Sequence, residues 1–184
     1  MYKRQAVKHC AAGKFRNAGQ VCISPTRFFI EEPVYDEFIK SFKSHVEAIN
    51  VGDGLDSKST MGPLVADRRL EVMEDFISDA ISSGGEVISG GGRGQSPGSF
   101  FEPTLIRDVP DTAKIMIEEP FGPVAPSASF SSIDEIIERA NSLPFGLASY
   151  AFTSNPRTSQ ILKSEIESGM LAINSMHIHS VETP

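Results

Sequence analysis

The sequence predicts an α/β fold with a mainly parallel sheet and flanking helices. Short β-branched or apolar runs alternate with helical patterns of about 10–20 residues, the rhythm of βαβ units. Gly, Pro and capping residues punctuate the boundaries between them. The composition is that of an ordinary globular protein: 184 residues, 40% hydrophobic and 22% charged. That is enough chain for one domain with its own core.

Ala6 to Ala12 is Ala-rich and helix-compatible, ending at Gly13, and Lys14 to Cys22 is a compact polar segment. Thr26 to Glu31 is β-branched and aromatic and reads as a strand. Pro33 opens a helix whose residues Val34, Phe38, Phe42, Val46 and Ile49 recur at helical spacing, until Gly52-Asp53-Gly54 breaks it. Leu64 to Ser83 is a second long helix, with Leu70, Met73, Phe76, Ile77, Ala80 and Ile81 on one face and Gly84-Gly85 as its stop. Glu86 to Ser89 is a short strand, Gly90 to Gly98 a Gly-rich turn, and Phe100 to Val109 another extended run. Lys114 to Val124 reads as irregular, interrupted by Pro120 and Pro123. Ser131 and Ser132 cap a third amphipathic helix, and Glu135 completes a capping box from Ser132. Its face is Ile133, Ile136, Ile137 and Ala140. Pro144-Phe145-Gly146 turns the chain into a strand from Leu147 to Thr153. Asn155-Pro156 starts a fourth helix, ended by Gly169, and Met170 to Asn174 is a last strand. In open α/β sheets function gathers where strands end. The loops at Asn17–Cys22, Glu118–Pro123 and Asn174–Ser180 are therefore the places to look.

The chain carries 17 Lys+Arg against 24 Asp+Glu, a net charge of −7. Nucleic-acid binders usually show a basic excess, so no nucleic-acid partner is expected. No apolar run approaches the ~18 residues of a membrane helix, and no signal-peptide pattern is present, so no membrane partner is expected either. Two cysteines cannot build a disulfide framework, which points to a reducing compartment, the cytoplasm.

A lone intracellular cysteine is by default a small buried hydrophobe, and Cys10, between His9 and Ala11, reads that way. Cys22 differs. It follows Gly19-Gln20 in a polar segment directly before a strand, a poor setting for a purely packed thiol. A backbone N–H at such a junction can face a developing oxyanion. Other features carry less. Gly90-Gly91-Gly92-Arg93-Gly94 lacks the Gly-Lys-Ser/Thr ending of a phosphate loop and reads as a hairpin turn or flexible loop. His177-Ile178-His179, with Glu182, falls short of the ligands a zinc site needs, so no metal is expected. Lys3-Arg4 and Arg68-Arg69 read as surface charge.

Phe15-Arg16-Asn17-Ala18-Gly19-Gln20-Val21-Cys22 resembles the active-site cysteine segment of aldehyde dehydrogenases. Glu118-Glu119-Pro120-Phe121-Gly122-Pro123-Val124 is similar to the family's Glu-x-Phe-Gly-Pro segment, and Asn141 to Leu147 to its Asn-x-x-x-x-Gly-Leu turn. Met61-Gly62-Pro63-Leu64, Phe101-Glu102-Pro103-Thr104 and Gly169 to Asn174 also fall in family order. The resemblance runs from about Ala6 to Pro184 and implies one aldehyde dehydrogenase catalytic domain over residues 1–184. It implies that Cys22 attacks a small-molecule aldehyde, that hydride leaves to the nicotinamide of NAD or NADP, and that water releases the acid from a thioester. Cysteine suits this because a thiolate is nucleophilic near neutral pH. Glu119 is then expected on the nicotinamide ribose hydroxyls and Phe121 against the nicotinamide ring, with Asn174 at the substrate.

Arg16 directly before Asn17 resembles the carboxylate-binding arginine of the succinate-semialdehyde dehydrogenase branch. A guanidinium forks onto a carboxylate in bidentate geometry and so selects an aldehyde with an acid tail. That branch also uses a serine in the loop after the Asn174-type residue. Here His179 stands at that place and Ser180 one later, and both are candidate substrate contacts.

The family has a dinucleotide-binding domain before this region, which supplies a general-base Glu and an oxyanion-hole Asn, and a Phe-Gly-Gly segment and oligomerisation strand after it. None of these is found in the 184 residues, so the sequence reads as the catalytic part of a longer enzyme, expected to be a homo-oligomer when whole. The isolated chain is expected not to complete the oxidation. Two other readings stand: a non-catalytic truncated domain or assembly partner of a separate cofactor-domain chain, and a thiol hydrolase using Cys22 alone.

Overall fold

In the computed structural model, which describes residues 2–178, β1 (Phe28–Glu31), β4 (Val124–Phe130), β3 (Thr104–Arg107) and β2 (Glu86–Ser89) form one sheet in the order β1-β4-β3-β2. The β1–β4 and β3–β4 pairs are parallel and β2–β3 is antiparallel. β5 (Ala148–Ala151) and β6 (Met170–Ile173) pair in parallel as a separate two-stranded sheet. The mainly parallel α/β class is as the sequence predicts, with the sheet divided in two.

The central strand, β4, lies where the sequence suggested only the end of an irregular stretch. Pro126 and the serines at 127 and 129 mask its strand character. Ser127 is fully buried, and its Oγ donates to the Ile106 carbonyl at 2.9 Å, so its polarity is satisfied within the sheet.

Helix α1 spans Tyr2–Phe15, running through Gly13, where the expected stop would have been. Gly13 serves contact instead: a Cβ there would lie 2.5 Å from Met176 Cε. α2 (Tyr35–Glu47) buries Tyr35, Ile39, Phe42 and Val46, and Phe42 meets Phe15, Phe28 and Phe38 edge-on at 5.2–6.3 Å between ring centroids. Such pairs add to the burial of the rings themselves. This cluster fixes the end of α1 against α2 and β1, and so fixes where the polar segment after Phe15 begins.

α3 spans Arg68–Ser82, shorter than expected at its start, since Leu64 precedes it in a loop and its N–H bonds the Ser99 carbonyl at 2.8 Å. A short α4 (Lys114–Ile117) occupies part of the stretch read as irregular. α5 (Ile133–Ala140) starts at Ser132, whose Oγ accepts from the Glu135 N–H at 3.2 Å. Glu135 reaches back to the N–H of Ser131 at 2.8 Å, not to that of Ser132, so the capping box is offset by one residue. α5 is not buried. Ile133, Ile136 and Ala140 line a cleft of about 640 Å³ between the edges of β1 and β5. α6 (Pro156–Glu165) is capped by Asn155 and ends at Glu165, since Ile166 is extended. The Gly-rich stretch is a hairpin-like turn, with Arg93 bridged antiparallel to Phe101.

Candidate active site

The polar segment that leaves α1 folds into a tight reversal. Asn17, Ala18 and Gly19 all have positive φ, at 51°, 54° and 72°. A left-handed run of this kind is costly for residues with a Cβ. It is fixed here by the Gln20 N–H bond to the Asn17 carbonyl at 3.1 Å and by the Asn17 Nδ2 bond to the Gln20 carbonyl at 3.0 Å. Ala18 is buried and Gly19 packs on another loop: a Cβ at Gly19 would lie 2.1 Å from the Gly122 carbonyl oxygen. The loops at Asn17–Cys22 and Glu118–Pro123, picked out separately in the sequence, therefore touch backbone to backbone.

Cys22 follows on a turn closed by the Ser24 N–H to the Val21 carbonyl at 2.8 Å. The Ser24 hydroxyl donates to the Lys14 carbonyl at 3.3 Å, tying this turn to the end of α1. From the other sheet, the Tyr150 hydroxyl donates to the Ile23 carbonyl at 2.7 Å, one peptide beyond Cys22. The Cys22 side chain is exposed, whereas Cys10 is buried and its thiol is pushed up to about 12 by desolvation. At pH 8 about 10⁻⁴ of Cys10 is thiolate, the form that reacts. Iodoacetamide at pH 8 is therefore expected to alkylate Cys22 at least about a hundredfold faster than Cys10 in the folded chain, read by peptide mass spectrometry. Comparable rates at the two positions would remove the basis for a reactive Cys22.

Beyond Gly122 lie the other candidates. Glu119 is exposed, and the Phe121 ring is 39% exposed on a backbone with φ of 39°. Behind Glu119 stands Lys14, whose side chain is 1% exposed. Burial drives its ammonium down to about 7, against an opposing pull from the Glu119 carboxylate. Arg69 donates to the carbonyls of Pro120 and Phe121, the latter at 3.4 Å. Reading Arg69 as plain surface charge is thus corrected: it reaches from α3 to the loop carrying Glu119 and Phe121. Gln20 grips the segment before α3, donating from Nε2 to the Pro63 carbonyl at 3.3 Å and accepting from the Val65 N–H at 2.8 Å.

Arg16 is exposed at the start of the reversal. Asn174 is half-buried with φ of 57°, and its amide pairs with Thr153 in both directions, accepting from the N–H and donating to the carbonyl at 2.9 Å each. Asn174 therefore shapes the exit of β6. His179 and Ser180 lie outside the described residues. His177 is exposed, with its backbone N–H on the Ser175 hydroxyl at 3.0 Å. Sequence reasoning missed Tyr150, Lys14 and Arg69. Tyr150 is 127 residues from its partner, and no local pattern announces such a contact. Lys14 carried a weak signal, a charged residue at a helix end directly before the cysteine segment.

The aldehyde dehydrogenase family model matches residues 3–184. The chain belongs to the aldehyde dehydrogenase family. It is 40% identical over 179 residues to the Sinorhizobium fredii protein named "Probable succinate-semialdehyde dehydrogenase [NADP(+)]", a match covering 97% of this chain and 36% of that one. It is 39% identical over 171 residues to the "Putative 4-(hydroxymethyl)benzenesulfonate dehydrogenase TsaD2" of Comamonas testosteroni, covering 93% of this chain and 35% of that protein. The crystal structure of succinate-semialdehyde dehydrogenase from Burkholderia pseudomallei superposes with a TM-score of 0.96 at 35% identity, over 99% of this chain and 38% of that one. The chain thus spans little more than a third of the length of these family members. No helix among the described residues is long and apolar enough to cross a membrane.

Proposed function

We propose that the chain supplies the nucleophile half of a site that oxidises an anion-bearing aldehyde to the acid with NAD or NADP. The observation that carries this is the backbone contact of Gly19 with Gly122, which sets Cys22 and the Glu119-Pro120-Phe121 turn beside one another. The residues present suit the nicotinamide end of a dinucleotide. An exposed carboxylate accepts from ribose hydroxyls, and an exposed ring offers a flat apolar face. A bound NAD or NADP would supply the hydride acceptor there.

The covalent step falls to this chain's own Cys22. The Cys22 sulfur bonds the aldehyde carbon and converts it to a thiohemiacetal, which sets that carbon up for oxidation to a thioester. Hydrolysis then breaks the carbon–sulfur bond and restores the thiol. The remainder of the dinucleotide site and a general base belong, in this reading, to sequence outside these residues. Free Cys10 and Cys22 suit a reducing compartment, the cytoplasm.

For the substrate, the reading assigns Arg16 to the anionic tail, with Asn174, His179 and Ser180 as further contacts. The two curated relatives described above are named for a carboxylate-bearing and a sulfonate-bearing compound, and an arginine pairs with either anion. In the full-length enzyme, Arg16→Ala is expected to raise KM for succinate semialdehyde about tenfold or more, while KM for a neutral aliphatic aldehyde moves less than about twofold. Equal effects on both would refute the anion clamp.

A further inference from the structure

We propose that Arg69 is a positioning residue that holds the Glu119-Pro120-Phe121 turn in the orientation in which the Glu119 carboxylate and the Phe121 ring stand exposed beside the nucleophile turn. The proposal rests on the reading above that these two groups face a nicotinamide.

The geometry begins at Phe121. An aromatic residue at φ of 39° is strained, and such a conformation persists only when its surroundings over-determine it. The peptide carbonyls on either side of the Phe121 Cα, those of Pro120 and Phe121, both accept from the same Arg69 Nη2. Two successive carbonyls can turn toward one donor only if the torsions between them are set to suit. A single guanidinium thus fixes the backbone that aims the ring. Its charge also acts on the Glu119 carboxylate, as does that of Lys14.

Arg69 is itself anchored. It sits in the first turn of α3, with its N–H on the Ala66 carbonyl at 2.9 Å. The segment leading into that turn is gripped by the Gln20 side chain at Pro63 and Val65. One turn further along α3, Met73 closes on the same loop: a Cβ at Gly122 would lie 2.3 Å from Met73 Sδ. Residues 61–73 therefore form a strap with Gln20 of the nucleophile segment at one end and the Glu119-Pro120-Phe121 turn at the other. Arg69 is the polar fastening at the second end.

The test compares Arg69→Ala and Arg69→Lys in the full-length enzyme carrying these residues, and in the 184-residue chain. In the enzyme, Arg69→Ala is expected to raise the KM for NAD or NADP about tenfold, because a charge-assisted hydrogen bond is lost. The rate of Cys22 alkylation should stay within about twofold, and Arg69→Lys should recover most of the loss, since an ammonium still donates to the Pro120 carbonyl. An unchanged dinucleotide KM overturns the assignment. So does a fall in Cys22 alkylation as large as the rise in KM, which marks general damage to the fold. If the full-length enzyme shows no dinucleotide-dependent oxidation at all, the functional reading falls on its own. Amide exchange across residues 118–122 in the chain then decides the role of Arg69: faster exchange in Arg69→Ala, reversed in Arg69→Lys, upholds it, and equal exchange overturns it.

Discussion

Gly19→Ala is expected to destabilise the chain by about 3 kcal/mol or more and to lower its Tm by about 6–12 °C. Two costs add. A Cβ at φ of 72° carries left-handed strain of about 1–2 kcal/mol. It would also meet the Gly122 carbonyl oxygen at 2.1 Å and its carbon at 2.6 Å. Both atoms are backbone, so no side chain can rotate out of the way. The loop carrying Glu119 and Phe121 must retreat from the Cys22 turn, and the candidate site opens along with the fold. Thermal unfolding followed by circular dichroism measures the loss. A Tm within about 2 °C of the parent would show that the two loops do not press on each other as described.

Lys14→Met is expected to stabilise the chain at pH 6 by on the order of 4 kcal/mol, with the gain shrinking as pH rises toward 10. The sign follows from the proton balance. In the unfolded chain Lys14 holds its proton up to about its ordinary 10.5, whereas in the folded chain burial brings it down to about 7. Between those values the unfolded state binds more protons, so stability rises with pH across the window. Below pH 7 both states are protonated, and the folded state bears the full cost of a desolvated ammonium, only partly offset by Glu119. Methionine fills a similar volume with no charge to bury. Urea titrations at pH 6, 8 and 10 measure the difference, and an equal gain at all three would refute this account of Lys14.

Much of the fold was legible because its signals are local. The caps at Ser132 and Asn155, the apolar spacing of α2 and α3 and the β2 strand are all properties of a few neighbouring residues. β4 was not legible, because a strand enclosed by partners on both sides can carry Pro and Ser provided each polar group finds a partner, as Ser127 does with Ile106. α1 ran past Gly13 for a similar reason. The local preference of glycine to end a helix was outweighed by a contact with Met176, far along the chain.

The site divides in the same way. Cys22 stood out by its polar setting directly before a strand, whereas Glu119 and Phe121 stood out only through the resemblance of residues 118–124 to the aldehyde dehydrogenase Glu-x-Phe-Gly-Pro segment. What holds them could not. Tyr150, Arg69 and Lys14 act on backbone carbonyls or a carboxylate brought close only by folding. Nothing in their own neighbours reveals that partner.

The bond from Tyr150 to the Ile23 carbonyl has a mechanical meaning. Tyr150 belongs to the two-stranded β5–β6 sheet, while the Cys22 turn is tied through Ser24 to α1, which packs with the larger sheet's elements. The smaller sheet thus bears on the Cys22 turn through a single hydroxyl, one peptide from the sulfur. A displacement of that sheet against the larger one would therefore be felt first at the Cys22 turn.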